Sequence, residues 1–213
     1  MSDDSEEDVP YGEDFHDAAV ATTWADAVMR KRPWRTTIFD HFVSIVGAAA
    51  EAQPRVLELG SGPGFLAEQL LTRCPAVSHY TLLDFSEPML EQSRRRLEPH
   101  RARTSFLRAD FKTDAWPALL TGPFDFIVSL QAIHELRHKR HAPRLYARLP
   151  GLLAPAGEAL VCDHLPEVAH TPRHRVLYMT VAENLEALSR AGLSEAKVVW
   201  SDHNMALYRA RAR

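Results

Sequence analysis

The sequence has few cysteines and no long apolar segment. Only Cys74 and Cys162 occur among 213 residues, and two cysteines at this spacing make neither a disulfide framework nor a zinc motif. No apolar run approaches the roughly 20 residues that span a bilayer. The acidic N-terminus also lacks the basic and then apolar order of a secretion signal. These absences argue against disulfide-rich secreted and membrane-spanning classes, and they predict a cytoplasmic protein without a metal site.

Negative charge is concentrated at the N-terminus. Up to residue 17 the chain has eight acidic side chains and no lysine or arginine: Asp3, Asp4, Glu6, Glu7, Asp8, Glu13, Asp14 and Asp17. Without these eight, 20 of the 28 acidic residues remain against 25 basic ones, a balance of +5. We interpret residues 1–16 as an acidic, disordered tail, with autoinhibition of a basic groove as the alternative.

The rest of the chain has the composition of one globular domain. Its apolar fraction of 46% and charged fraction of 25% are ordinary for a folded protein of this length. Apolar residues at helical spacing occupy residues 17–50, before the first strand pattern. We therefore expect a helical cap over residues 17–50 and an α/β core over residues 51–213.

The core opens with a strand, a glycine-rich turn and a helix. Val56 to Leu59 form an apolar strand pattern, and a helical pattern begins at Phe65. Between them, Gly60, Gly62 and Gly64 alternate with Ser61 and Pro63. Such a turn presents backbone N–H groups at a helix N-terminus, and its glycines let a ligand approach the backbone. The pattern predicts a nucleotide-type binding turn.

The spacing of the glycines distinguishes two cofactors. A dinucleotide turn of the form G-x-G-x-x-G would have its third glycine at position 65, where Phe65 stands. The observed order is an acid, Glu58, followed by glycines at positions 60, 62 and 64. This order resembles motif I of the class I S-adenosylmethionine-dependent methyltransferases. The resemblance implies that the amino-acid part of S-adenosylmethionine binds here, at Glu58, Gly60, Ser61, Gly62 and Gly64.

Two further strand ends carry acids at places that fit an adenosine. Asp84 ends an apolar strand pattern, where a carboxylate can accept both ribose hydroxyls, and Ser86 is placed to cap the next helix. In the family that the chain resembles, the acid after the third strand accepts the adenine amino group and its apolar neighbour flanks the ring. Asp110 and Phe111 match those positions. We also assign the cofactor site Phe85, Met89 and Leu130.

Two histidines follow predicted strands and are the candidate catalytic residues. His134 comes shortly after the apolar strand 124–130, which resembles the family's fourth motif, where the strand end passes beneath the methyl-donor sulfur. His164 ends the next strand pattern. An imidazole with an ordinary pKa of about 6.5 can accept a proton from a hydroxyl or amine nucleophile. A structural, hydrogen-bonded role is the alternative for each.

The end of the chain predicts an antiparallel hairpin. Two strand patterns flank the tight turn Asp202-His203-Asn204, and the last helix begins with a capping box at Thr180 and Glu183. The resemblance implies a doubly wound α/β fold with a mostly parallel, seven-stranded, Rossmann-like sheet, this hairpin and preceding N-terminal helices. A dinucleotide-binding domain does not require the hairpin.

The function predicted from these features is transfer of a methyl group from S-adenosylmethionine, with S-adenosylhomocysteine as product, to an oxygen or nitrogen nucleophile on a small molecule. A methyltransferase acting on nucleic acid or protein is the first alternative, because basic residues occur in scattered clusters. An NAD(P)-dependent oxidoreductase is the second, and Phe65 and the hairpin argue against it. We expect no membrane partner, and the sequence leaves the oligomeric state open.

Overall fold

A computed structural model describes residues 7–49, 53–113 and 115–213. Across these residues the α-helices and β-strands are, in chain order, α1 Ala18–Lys31, α2 Arg35–Gly47, β1 Arg55–Leu59, α3 Phe65–Arg73, β2 His79–Asp84, α4 Glu87–Arg96, β3 Thr104–Arg108, β4 Phe124–Leu130, α5 Ala142–Tyr146, β5 Leu153–His164, α6 Val181–Arg190, β6 Ser194–Asp202 and β7 Met205–Arg211. The strands form one sheet in the order β3-β2-β1-β4-β5-β7-β6. Strand β7 pairs antiparallel with both β5 and β6. The predicted seven-stranded sheet with an antiparallel C-terminal hairpin is confirmed.

Contacts divide the chain into two compact units, residues 13–111 and residues 7–12 together with 112–213. In residues 13–111, β2 pairs in parallel with β1 and β3. The side chains of β2 from Tyr80 to Asp84 are all buried, which explains its continuous apolar pattern. Helices α3 and α4 pack on β2, and α2 and α1 pack on α3 and α4 respectively. The two helices before the first strand are thus held by other helices.

Local signals set the ends of several helices as the sequence predicts. The Asp17 side chain accepts hydrogen bonds from the first turn of α1, and the Ser86 hydroxyl accepts one from Met89 N–H in α4. Thr180 and Glu183 form the predicted capping box of α6. The hairpin turn places His203 and Asn204 at φ of 51° and 55°, the left-handed conformation that a tight hairpin requires.

In residues 112–213, β4 and β5 pair in parallel, and their inward faces are buried. Helix α6 packs on β6 and β7, and α5 packs on α6. The connection from β5 to α6 contains two 3-10 helices, Pro166–Val168 and Pro172–Leu177. No helix in the described part of the chain has the length and apolar character to cross a membrane.

The N-terminal segment differs from the expected disordered tail in part. Residues 1–6 lie outside the described residues, but Val9 is only 4% exposed and packs with Val176 and Leu177. Asp8 pairs with basic side chains, which compensates for placing an acidic segment against the protein. An apolar residue within an acidic run therefore anchors part of the segment.

Candidate functional site

The glycine turn lies between β1 and α3 and is tied to the end of β2. The N–H groups of Gly60 and Ser61 both donate to the carbonyl oxygen of Leu83, at 2.8 and 3.1 Å. Gly60, Gly62 and Gly64 have φ of 68°, 54° and 81°, which side chains other than glycine rarely adopt. The turn is therefore a fixed structure that depends on its glycines.

Two of these glycines serve different purposes. A Cβ on Gly64 would lie 2.9 Å from the Ser93 hydroxyl oxygen of α4, whereas a Cβ on Gly62 would meet no atom of residues 7–49, 53–113 and 115–213 within 4 Å. The Ser93 hydroxyl also donates to the Gly62 carbonyl oxygen at 2.8 Å. Gly64 thus permits close packing of the turn on α4, while Gly62 leaves its side open to a ligand.

We expect Gly64→Ala to destabilise the protein more than Gly62→Ala. Both changes place an alanine at positive φ, which costs about 1–2 kcal/mol, and Gly64→Ala adds a clash of about 1–3 kcal/mol. Gly62→Ala should instead reduce the affinity for S-adenosylhomocysteine at least tenfold, because its methyl group enters the open side. Urea unfolding and titration calorimetry measure the two effects. Equal losses of stability would contradict the assignment.

Asp84 fixes the turn from the end of β2. Its buried carboxylate accepts a hydrogen bond from Gly62 N–H at 2.8 Å and another from Ser86 N–H at 2.9 Å. The Ser86 hydroxyl donates to the Phe15 carbonyl oxygen. A single carboxylate therefore orients both the glycine turn and the start of α4.

Glu58 is a buried acid directly before the turn. Burial raises its pKa to about 8; the hydrogen bond from the Tyr80 hydroxyl and the charge of Arg35 act in the opposite direction, whereas Asp84 raises the pKa further. The Tyr80 oxygen lies 2.8 Å from the carboxylate. A ligand cation beside Glu58 would favour its charged form. This site is therefore suited to an ammonium group.

The Ser61 hydroxyl is a second polar group poised for a ligand. Ser61 is 6% exposed, and its hydroxyl oxygen has no hydrogen-bond partner among the described residues. A buried hydroxyl that makes no hydrogen bond costs free energy. A ligand carboxylate that accepts a hydrogen bond from it would remove this cost. Arg35, also buried, begins α2 and acts on Glu58. These groups fit the charged amino-acid part of the cofactor implied by the resemblance.

A cavity of about 360 Å³ lies at the ends of β2 and β3. It is lined by His16, Phe85, Arg108, Ala109 and Asp110. The His16 ring meets the Phe85 ring edge-on, with centroids 5.1 Å apart. Asp110 is exposed, whereas Phe111 and Met89 are buried. Sequence reasoning missed His16, because an exposed histidine in an acidic segment carries no signal of its own.

His134 is held between two carboxylates in the other unit. Its Nδ1 lies 2.7 Å from Asp163 Oδ1, its backbone N–H donates to Asp163 Oδ2 at 2.9 Å, and its Nε2 lies 3.3 Å from Glu135. Burial lowers the pKa of His134, but Asp163 and Glu135 outweigh it and raise the pKa to about 10. His134 is therefore an imidazolium at neutral pH, and an imidazolium cannot accept a proton.

His164 lies beside His134 in a different environment. The two ring centroids are 5.4 Å apart, and Tyr178 contacts both rings at 5.8 and 5.9 Å. The His164 Nε2 atom is 2.9 Å from the Gln131 side-chain nitrogen. Either tautomer can pair with this amide, since Gln131 can present its nitrogen or its oxygen. The Gln131 amide thus faces one edge of the His164 ring, and the Asp163 carboxylate accepts the His164 backbone N–H at 2.7 Å.

The structure brings the candidate residues together as two groups, one in each unit. Residues 13–111 contain Glu58, the glycine turn, Asp84, Phe85, Met89, Asp110 and Phe111. Residues 112–213 contain Leu130, buried at the end of β4, with His134 and His164. Three further residues contact these histidines and were not predicted from the sequence: Asp163, Gln131 and Tyr178. Asp163 directly precedes His164 at a predicted strand end, which was an available signal.

No group of three or more histidine, cysteine, aspartate or glutamate side chains is arranged to hold a metal ion within residues 7–49, 53–113 and 115–213. The expectation of a metal-free site stays a prediction.

Comparison with known proteins agrees with the motifs. Residues 56–157 match the family model described as a methyltransferase domain. An uncharacterised methyltransferase of Mycobacterium tuberculosis is 32% identical over 131 residues, 61% of this chain and 60% of that protein. Trans-aconitate 2-methyltransferase of Variovorax paradoxus is 32% identical over 129 residues, 61% of this chain and 45% of that enzyme. The chain thus spans at most 60% of these relatives.

The fold is similar to that of solved methyltransferases. The structure of an O-methyltransferase family protein from Burkholderia thailandensis superposes with a TM-score of 0.71 at 18% sequence identity, covering 92% of this chain and 60% of that one.

Proposed function

We propose that this chain, which carries a class I S-adenosylmethionine-dependent methyltransferase domain, moves a methyl group from that cofactor to an oxygen or nitrogen nucleophile of a small molecule. The observation that supports the proposal most is the buried Ser61 hydroxyl, which has no hydrogen-bond partner in the described part of the chain, in a glycine turn whose Gly62 side is open. Both features are explained by a ligand with a charged amino-acid end.

Each part of the cofactor has residues suited to hold it. Ser61 would donate to its carboxylate and Glu58 would face its ammonium, while Asp84 would accept from the ribose hydroxyls. The adenine ring would lie with His16, Phe85, Asp110 and Phe111 around it. Gly60 and Gly64 would keep the turn in shape, and Met89 would supply apolar surface; the assignment of Leu130, in the other unit, stays a prediction. These assignments rest on burial and hydrogen bonding in each unit.

The cofactor supplies an activated methyl group on a positively charged sulfur, and that group requires no covalent enzyme intermediate for its transfer. The protein's contribution is to align the acceptor, exclude water and receive a proton where the acceptor carries one. Alignment supplies up to about 7–11 kcal/mol, whereas a general base contributes typically about 10²–10⁴-fold. We expect alignment to dominate here.

The two histidines differ in suitability as a base. His134 is charged and held on both ring nitrogens by carboxylates, so we assign it a positioning role. His164 pairs with an amide and is the better candidate to receive a proton. A carboxylate acceptor would need no base at all, because it arrives without a proton. The similarity to trans-aconitate 2-methyltransferase makes a carboxylate a sensible first acceptor to test.

Cofactor binding by the full chain tests the proposal. Titration calorimetry with S-adenosylhomocysteine should give saturable binding with one site, and NADH should give none. Ser61→Ala should reduce the affinity about tenfold, since one hydrogen bond to a charged group contributes about 1.5–3 kcal/mol. The same change should leave the free energy of unfolding of the free protein unchanged or higher, because the hydroxyl loses no internal partner. Tight NADH binding with no S-adenosylhomocysteine binding would contradict the proposal.

A further inference from the structure

Three basic side chains converge on one carboxylate at the N-terminal segment. Asp8 lies 2.6 Å from Lys112 Nζ, 2.9 Å from an Arg140 nitrogen and 2.8 Å from His141 Nε2. Burial raises the pKa of Asp8, but the hydrogen bonds and charges of Lys112 and His141 lower it well below its ordinary value. Lysine and arginine side chains are cations at neutral pH, so Asp8 faces two cationic groups besides the His141 imidazole.

The segment that brings Asp8 to this cluster has its own anchors. Val9 is buried against Val176 and Leu177, and Val9 N–H donates to the Arg137 carbonyl oxygen at 2.9 Å. The Arg137 guanidinium donates in return to the carbonyl oxygens of Val9 at 3.0 Å and Pro10 at 2.6 Å. Residues 8–10 therefore form a short strap against residues 112–213, and Asp8 is the first residue of this strap.

Only a few contacts hold the strap in place. Its only buried side chain is Val9, which contributes about 1.5–3 kcal/mol; its partly exposed ion pairs contribute about 0–1 kcal/mol each, and its hydrogen bonds with Arg137 about 0.5–3 kcal/mol each. The side chains of Asp8, Lys112, Arg140 and His141 are 32%, 27%, 44% and 29% exposed, so the site is open to solvent. Ordering the strap costs about 1–2 kcal/mol of backbone entropy per residue. A ligand can therefore compete with it.

We propose that Lys112, Arg140 and His141 form a binding site for the anionic group of a ligand, and that Asp8 occupies this site as a tethered competitor. The ligand class is a carboxylate or a phosphate, because either presents several oxygens to a lysine, an arginine and an imidazole. Because Asp8 belongs to the same chain, its effective concentration at the site is high, and its removal should expose an affinity that it masks. The site is additional to the proposed methyl-transfer function and does not depend on it.

The test compares anion binding by the full chain and by Asp8→Asn at one pH and constant ionic strength. Titration calorimetry with inorganic phosphate and, separately, with citrate should show apparent affinity at least tenfold higher for Asp8→Asn. Asp8→Ala is a second variant with the same expectation. The matched control is Glu13→Gln, which removes an exposed carboxylate of the same segment and should bind as the wild type does. A gain with citrate alone identifies carboxylates as the class, and a gain with phosphate alone identifies phosphates.

Removing the cations locates the site. Adding Arg140→Gln or Lys112→Gln to Asp8→Asn should abolish the gain in anion affinity. The melting temperature of each double variant should remain near that of Asp8→Asn. The proposal is overturned if Asp8→Asn and Asp8→Ala, both folded by circular dichroism, bind neither anion more tightly than the wild type. It is equally overturned if the gain in anion affinity survives the loss of both Lys112 and Arg140. The same gain in Glu13→Gln would also overturn it.

Discussion

Asp84→Ala is expected to reduce the affinity for S-adenosylhomocysteine roughly 100-fold, about 3 kcal/mol, because hydrogen bonds to a charged acceptor contribute about 1.5–3 kcal/mol each. The change removes the proposed acceptor of the ribose hydroxyls. It also releases Gly62 N–H and Ser86 N–H, whose bonds of 2.8 and 2.9 Å set the glycine turn and the start of α4. Titration calorimetry on the purified chain measures the loss.

Two controls separate binding from folding in this experiment. Asp40→Asn removes an exposed carboxylate of the same unit, paired with Arg73 at 2.7 Å, and should leave the affinity unchanged. Urea unfolding of free Asp84→Ala reports how far the turn itself is disturbed. If Asp84→Ala binds S-adenosylhomocysteine as tightly as the wild type does, the ribose assignment is wrong.

Asp163→Asn is expected to lower the free energy of unfolding near pH 6 by about 3–5 kcal/mol, the usual cost of breaking a buried ion pair. The Asp163 side chain is 10% exposed and that of His134 is 16% exposed, so water screens the pair little. Asp163 also accepts the backbone N–H groups of His134 and His164, at 2.9 and 2.7 Å. An asparagine has one oxygen where these donors need two.

The pair also predicts how wild-type stability depends on pH. The pKa of His134 is raised from 6.5 to about 10, so its contribution is full below pH 6.5 and is lost as pH rises through 10. Burial raises the pKa of Asp163 from 3.8, but His134 outweighs it and lowers that pKa; the contribution is therefore full above pH 3.8 and is lost in stronger acid. The pair should stabilise most between pH 3.8 and 6.5.

Urea unfolding across this range provides the measurement. Asp163→Asn should remove most of the decline in stability that the wild type shows between pH 6.5 and 10. Glu186→Gln is the matched control, because its exposed pair with Arg190 should contribute only about 0–1 kcal/mol. An unchanged alkaline decline in Asp163→Asn would show that His134 is not held as an imidazolium by Asp163.

The ion pair bears on how the chain could catalyse methyl transfer. From sequence alone, His134 was the first candidate base and His164 the second, each a histidine near a strand end. The structure places carboxylates beside both ring nitrogens of His134, whereas the Nε2 atom of His164 lies beside the Gln131 amide. Activity of His134→Ala and His164→Ala on a hydroxyl or amine acceptor would distinguish a positioning role from a proton-accepting one.

Several features of this protein were determined by the sequence itself. The strand, glycine turn and helix, the caps at Ser86 and Thr180, and the hairpin at His203 and Asn204 all occur where the residues predict them. These signals are local, because they depend on backbone dihedral angles and on hydrogen bonds between residues a few positions apart. The order of such elements was enough to predict the sheet and the family.

Only the tertiary structure decided which side chains meet. His134 and Asp163 are 29 positions apart in the sequence, and Asp8 and His141 are 133 apart. Contacts of 2.7 and 2.8 Å between them depend on how strands align and how a terminal segment packs, which no local pattern encodes. The same holds for His16 beside Phe85. Local chemistry therefore determined the elements and the glycine turn, whereas long-range packing placed the carboxylates beside His134 and Asp8 beside the basic cluster.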